Sequence, residues 1–411
     1  MATDPNMKRI PYGVTNFRDM RLENMYYVDK TMFIPEIEAA TQNFFLIRPR
    51  RFGKTLTLKM LSRYYDINGK DEWEQIFGGL WIGEHPTKER SKYLMLELSF
   101  ACIDGGLDGY RNGMDRYCNT VFNSFGRIYK SFLPEDFLTE LNLRVNAVDQ
   151  FTYICYVCNE YNLPIYLILD EYDHFTNEIL SDASRLADYE AETHREGYLR
   201  KFFNQIKSGT EGAIKRFFIS GVSPVTMDDL TSGFNIAYNC TSDPNFNALM
   251  GFTESEVRQM VDYYRQFYDF RHTTDQIIET IKPWYDNYCF AKNKFSKETV
   301  YNSDMVLFFL KRYISEETFP QSMIDDNVKT DYAKLSLLIK TDQQMLMRND
   351  SSSSNNGSVL QEIIENGGIT ADMVAEYLAC LRADLCATTY NNRVCVLREI
   401  FHVLARKAGI E

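Results

Sequence analysis

The sequence predicts an α/β protein: a three-layer domain on a mostly parallel sheet, followed by a mainly helical domain. Three apolar runs carry that prediction: Asn43-Phe44-Phe45-Leu46-Ile47, Ile165-Tyr166-Leu167-Ile168-Leu169, and Phe217-Phe218-Ile219 within Lys215 to Pro224. Consecutive apolar positions of strand length mark strands buried on both faces, as in parallel sheets. Helical patterns lie between the runs, and that alternation specifies an α/β layout.

In chain order, Tyr26-Tyr27-Val28-Asp29-Lys30-Thr31 precedes a helical pattern from Met32 to Ala40, which leads into the first strand. Next comes a tight basic loop, Arg48-Pro49-Arg50-Arg51-Phe52-Gly53-Lys54-Thr55, and a helical pattern from Thr55 to Tyr65 with Leu56, Met60 and Leu61 apolar. Strand, glycine-bearing loop and helix start are the layout of a phosphate-binding P-loop, because unpaired amides and the positive helix end favour an anion. Lys54 would reach the β/γ-phosphates and the Thr55 hydroxyl would sit on Mg²⁺. The usual pattern opens with a glycine where Arg48 stands.

Tyr93 to Phe100 reads as a further strand, and residues 101–160 as mainly helical. The run Ile165–Leu169 ends in Asp170-Glu171. A carboxylate closing a buried strand is costly unless it serves a cation, so Asp170 is the candidate Mg²⁺ holder of a Walker-B strand. Glu171 is then placed to orient or deprotonate the attacking water. A lone Gly-Lys-Thr also occurs in ordinary turns; its conjunction with an acid-ended strand favours a nucleotide. Residues 181–193 read as a charged surface excursion and His194 to Lys207 as a helix. In P-loop ATPases with an extra strand between the loop and Walker-B strands, that strand ends in a polar sensor. Ser220 and Ser223 are the candidates, with a plain Ser-Gly turn as the alternative.

Strand signals fade beyond residue 250, where Thr253-Glu254-Ser255-Glu256 forms a capping box and helical patterns run to Met347. The expected organisation is a P-loop domain over 1–250, a helical domain over 251–347, a serine- and asparagine-rich flexible linker over 348–358, and a short helical region over 359–411.

The chain has 411 residues, 45% hydrophobic and 25% charged, which are ordinary globular values. A formal charge of −12 weighs against coating nucleic acid through the overall field. Nine cysteines without regular spacing are no disulfide framework, and Cys155 and Cys158 read as core. Reduced thiols, no apolar leader in Met1–Asn6 and no membrane-length apolar run fit a cytoplasmic protein. The five histidines show no metal spacing. Asn293-Lys294-Phe295-Ser296 lacks the aspartate that reads guanine, so ATP is the default nucleotide. Arg50 and Arg51 are candidates for phosphate or an internal acid. Asp173 reads as a structural partner, and Trp284, Tyr285, Tyr288 and Phe290 as helical-domain core.

Taken together, these residues resemble the bacterial AAA-ATPase-like proteins, relatives of the STAND-type P-loop ATPases that usually carry a PD-(D/E)XK nuclease-like domain at the C-terminus. The resemblance rests on Tyr27–Thr31, Arg48–Thr55, Leu169-Asp170-Glu171-Tyr172-Asp173, Ser220–Ser223, Gly251–Glu254 and Trp284–Tyr288. In that family the missing first glycine is usual, and the resemblance implies that Asp29 and Lys30 stand near the nucleotide entrance. Asn287 departs from the family's glycine. Beyond the linker no Asp precedes a Glu-x-Lys set, so the nuclease is expected to be shortened or absent and its activity is not carried over.

The expected function is an ATP-binding ATPase that hydrolyses ATP with Mg²⁺ to drive or time a conformational change. The alternatives are a slow nucleotide-dependent switch acting on an unidentified protein partner, or the ATPase half of a nucleic-acid-processing system. The expected site comprises Glu171 and Lys54 for chemistry, Arg50, Arg51, Phe52, Gly53, Lys54, Thr55 and Ser220 for the nucleotide, and Thr55 with Asp170 for Mg²⁺. No membrane partner is expected.

Overall fold

The computed structural model describes residues 7–104, 109–174, 197–222, 236–291, 298–323 and 325. Five parallel strands form the central sheet: β1 (Asn43–Ile47), β2 (Leu94–Ser99), β3 (Ile165–Asp170), β4 (Ile214–Gly221) and β5 (Tyr238–Asn239), in the order β2-β3-β4-β1-β5. Strand β4 therefore lies between the loop-bearing β1 and the acid-ended β3, as expected from its small polar terminus.

Every position of β3 is buried, because helices cover both faces of the sheet. Successive side chains leave a strand on opposite faces. Phe45, Ile47, Leu167, Leu169, Phe217 and Ile219 enter one core, and Phe44, Leu46, Tyr166, Ile168 and Phe218 enter the other. The second core is closed by α1 (Phe17–Leu22), α2 (Phe33–Ala40), α3 (Lys54–Tyr65) and α4 (Trp73–Phe77), with α5 (Trp81–Glu84) adding Ile82. The first is closed by α6 (Gly109–Ile128), α7 (Phe137–Asn142), α8 (Ala147–Glu160) and α9 (Tyr198–Gly209). Cys158 is buried in that core and Cys155 packs against it.

A third core joins α10 (Glu254–Arg265), α11 (Thr274–Tyr285) and α12 (Ser303–Glu316). Thr253 and Glu256 form the expected capping box, and Thr273 and Gln276 form another. The helical region is not free of strands. β6 (Asp286–Tyr288) pairs antiparallel with β7 (Val300–Tyr301), and Tyr301 also bridges Phe252. Two- and three-residue strands are too short to leave a periodic signal. Tyr12, Tyr26 and Val28 from the N-terminal segment pack on this third core.

The strand expected over Tyr93–Phe100 loses its ends: Tyr93 bridges Asp66 and Phe100 starts a 3₁₀ turn. The helix expected from His194 starts at Tyr198 among the described residues. The excursion 181–193, Ser223, the linker 348–358 and the region 359–411 lie outside them. No helix among the described residues is long and apolar enough to cross a membrane.

Candidate functional site

The loop 48–53 leaves the C-terminal end of β1 and turns into α3 at Gly53, whose φ of 81° and ψ of 20° lie in the left-handed region open to glycine. The N-cap of α3 is Gly53, which has no side chain to cap the helix, and this leaves its first-turn amides open to an anion. The Lys54 side chain folds back over the loop, and its ammonium donates to the carbonyls of Arg48 (3.0 Å) and Pro49 (2.8 Å). Burial lowers its pKa to about 8, against the opposing pull of Asp170, Asp173 and Glu171.

Three neighbouring strand ends converge beside it. Asp170 closes β3, and its Oδ2 accepts from the Thr55 hydroxyl at 3.0 Å. Its Oδ1 accepts from the Ser220 hydroxyl at 2.6 Å and from the Glu171 amide at 3.0 Å. Thr55 and Asp170 thus present two hard oxygen donors at one point. Mg²⁺ is commonly held by one or two protein oxygens together with water and substrate phosphates, and this donor set fits that mode. Among the described residues no group of three His, Cys, Asp or Glu forms a self-sufficient metal cage.

Glu171 is half-buried and holds a left-handed backbone (φ 51°), which turns the chain sharply after the strand. Asp173 is buried, and its Oδ2 accepts from the Val222 amide at 3.0 Å, fastening the end of β4. At Gly221 an added Cβ would meet the Tyr172 ring and lie 2.6 Å from Asp173 Oδ1, so only glycine allows β4 to approach this turn. Ser220 is fully buried and its hydroxyl is engaged by Asp170.

The loop arginines diverge. Arg48 is fully buried and donates to the carbonyls of Ile47 (2.8 Å), Thr241 (3.0 Å) and Phe246 (2.8 Å). Its guanidinium carbon lies 4.0 Å from the centroid of the Phe290 ring. Burial lowers its pKa to about 9. Arg50 is exposed. Arg51, at φ 68°, takes the internal-acid option: its guanidinium donates to Asp304 at 2.6 Å and lies 3.7 Å from Asp325. Phe52 is buried, with its ring edge-on to Tyr288 and Phe290, so its side chain anchors the loop.

Asp29 and Lys30 are engaged internally. Lys30 donates to both carboxylate oxygens of Glu256 at 2.7 Å and to Ala248 O at 2.9 Å. Asp29 accepts from the amides of Thr31 and Trp81. The structure adds Phe290, Asn302, Ser303 and Asp304 to the loop's surroundings. In the sequence, Asn302-Ser303-Asp304 reads as a helix start and nothing ties it to residue 51.

A basic loop at the end of one strand, an acid at the end of another and a strand with a small polar end between them define the P-loop ATPase class. A profile of the family described as "Predicted AAA-ATPase" matches residues 11–231, more than half of the 411, and the chain belongs to that family. It is 28% identical over 326 residues to an uncharacterized protein in the vnfD 5' region of Azotobacter chroococcum mcd 1. That match takes in 77% of this chain and spans just over half, 56%, of the relative. Among solved structures, the Cdc6p of Pyrobaculum aerophilum is similar at a TM-score of 0.35 and 12% identity, over 92% of this chain and 88% of that one. The ORC2 protein of Aeropyrum pernix, solved as ADPNP–ADP complexes, gives a TM-score of 0.33 and 11% identity, over 96% and 88%.

Proposed function

We propose that the chain binds ATP with Mg²⁺ and hydrolyses it to drive or time a conformational change. The observation that supports this best is the Thr55–Asp170 oxygen pair beside a buried lysine at the start of an uncapped helix. Mg²⁺ bound there would neutralise charge on the β- and γ-phosphates. Lys54 leaves the carbonyls of Arg48 and Pro49 for the terminal phosphates, where its charge is matched. The amides of the loop and of the first turn of α3 orient the phosphate chain. Ser220, by donating to Asp170 Oδ1, fixes the orientation of that carboxylate so that Oδ2 faces Thr55. Glu171 accepts the proton of the attacking water on its carboxylate.

The test is single-turnover hydrolysis by wild type and Glu171→Gln, each with and without DNA or RNA. The variant is expected to bind ATP with wild-type affinity while turnover falls by about 10²–10⁴-fold, since an amide takes no proton. Equal rates in the two proteins would remove Glu171 as the base and favour a slow switch. Stimulation by DNA or RNA would instead favour the nucleic-acid-processing alternative.

A further inference from the structure

Three consecutive loop carbonyls are held by the helical region. Arg50 O accepts from Asn302 Nδ2 at 3.5 Å, Arg51 O from Ser303 Oγ at 3.2 Å and the Asp304 amide at 3.3 Å, and Phe52 O from the Gly251 amide at 3.1 Å. In a trans peptide the N–H points opposite to the C=O. The amides of Arg51, Phe52 and Gly53 are therefore turned away from the helical region and continue into the uncapped start of α3. Successive amides on one side of a turn make an anion-binding concavity.

That arrangement depends on a strained residue. Arg51 adopts φ 68° without being glycine, a conformation that persists only where its surroundings over-determine it. The over-determination is visible on both ends of the residue. Its carbonyl is held by the first turn of α12, and its guanidinium by the Asp304 carboxylate at 2.6 Å, with Asp325 3.7 Å away. Asp304 holds the residue twice, through its amide and through its side chain.

We propose that Asp304 is a positioning residue for the phosphate loop: by clamping Arg51 it keeps the loop amides aimed at the nucleotide. The α/β region's affinity for ATP is thereby set by the docking of α12. The inference rests on the ATP-binding reading above and makes Arg51 a backbone strut, with its guanidinium committed to the acid.

The experiment measures Mg²⁺–ATP affinity by calorimetry and a KM-against-kcat split for the full chain. It compares wild type, Asp304→Ala, Asp304→Glu, Ser303→Ala, Arg51→Met and the Asp304→Ala/Arg51→Met double variant. Asp304→Ala is expected to weaken binding about tenfold, the scale of one charge-assisted hydrogen bond, and to raise KM with kcat unchanged. Ser303→Ala removes a single hydrogen bond and is expected to lose about threefold in the same direction, which keeps the test open if the first variant folds poorly. Asp304→Glu should recover most of the loss, and the double variant should be no weaker than Arg51→Met alone. Tighter binding by Asp304→Ala would overturn the inference by making the acid a competitor of the phosphates for Arg51. Unchanged binding by both Asp304→Ala and Ser303→Ala, beside a wild type that binds, would overturn the inference alone. A wild type that binds no nucleotide would overturn the ATP reading and the inference with it.

Discussion

The α/β region and the helical region both touch residues 48–53, but they bring different things. From the α/β side come ionisable and hydroxyl groups within reach of one another: Lys54, Thr55, Asp170 and Ser220. From the helical side come a ring against Arg48, rings against Phe52, and donors for three carbonyls. One region gathers the groups that the proposed chemistry calls for, and the other shapes the loop. Changes in the first should remove function while sparing the fold, and changes in the second should cost stability and affinity together.

The sharpest contrast is expected at two adjacent positions. Lys54→Ala takes away the main counter-charge for the terminal phosphates, so Mg²⁺–ATP affinity should fall by about a thousandfold in a protein that remains folded. Calorimetric affinity equal to wild type would erase the chemical half of the comparison. Phe52→Ala empties a buried site against Tyr288 and Phe290 and should destabilise the protein by about 3–5 kcal/mol. Chemical denaturation would measure it, and a loss below about 1 kcal/mol would mean that the helical region does not grip the loop.

A pH experiment sharpens the chemical side. Burial lowers the Lys54 pKa to about 8, from 10.5 for an exposed lysine. Between those values the unfolded chain holds a proton that the free native state has released, so the stability of the nucleotide-free protein should rise with pH across that window. Phosphates require the ammonium form. Above about pH 8 ATP binding should therefore take up one proton and weaken by about tenfold per pH unit, as read by calorimetry in buffers of differing ionisation heat. Pair removal at the outer face of the helical region should do least. Lys282 is half-exposed where it meets Glu254 at 2.8 Å, so Lys282→Ala should shift stability by no more than about 0.5 kcal/mol after solvent screening, with ATP affinity untouched. A larger loss would show that the helical region's surface, and not its contact with the loop alone, carries its stability.

The same division explains what could be read before the structure. β1, β3 and the Phe217–Ile219 part of β4 were legible because burial on both faces demands uninterrupted apolar runs. β2 was legible from its leucines and Met95 despite the half-buried Glu97, and Asp170 stood out as a charge where such a run ends. Lys54 and Thr55 were legible as the first residues of α3, because they follow Gly53 at the spacing that phosphate binding would need. The grip on the loop was not. Asp304 lies 253 positions from its partner Arg51, and a helix start carries no mark of what its first turn will hold. Arg48 stands where the usual pattern has glycine. Its side chain turns back into the protein beneath the loop, where carbonyls and the Phe290 ring receive it, so the chain there has no need of glycine. The strands β6 and β7 are too short for periodicity to detect. Trp284 and Tyr285 join the helical core as expected, but Tyr288 and Phe290 pack on the second core of the sheet and against the loop, because the chain leaves α11 there for β6.

The N-terminal segment has a consequence for how the chain is made. The Lys8 amide donates to the Tyr263 hydroxyl across 255 positions, and Tyr26 packs on Tyr263 and Tyr264. At translation rates of roughly 5–20 residues per second, those aromatic faces emerge from the ribosome tens of seconds before their partners do. Through that interval the aromatic faces of the N-terminal segment stay uncovered until α10 is synthesised.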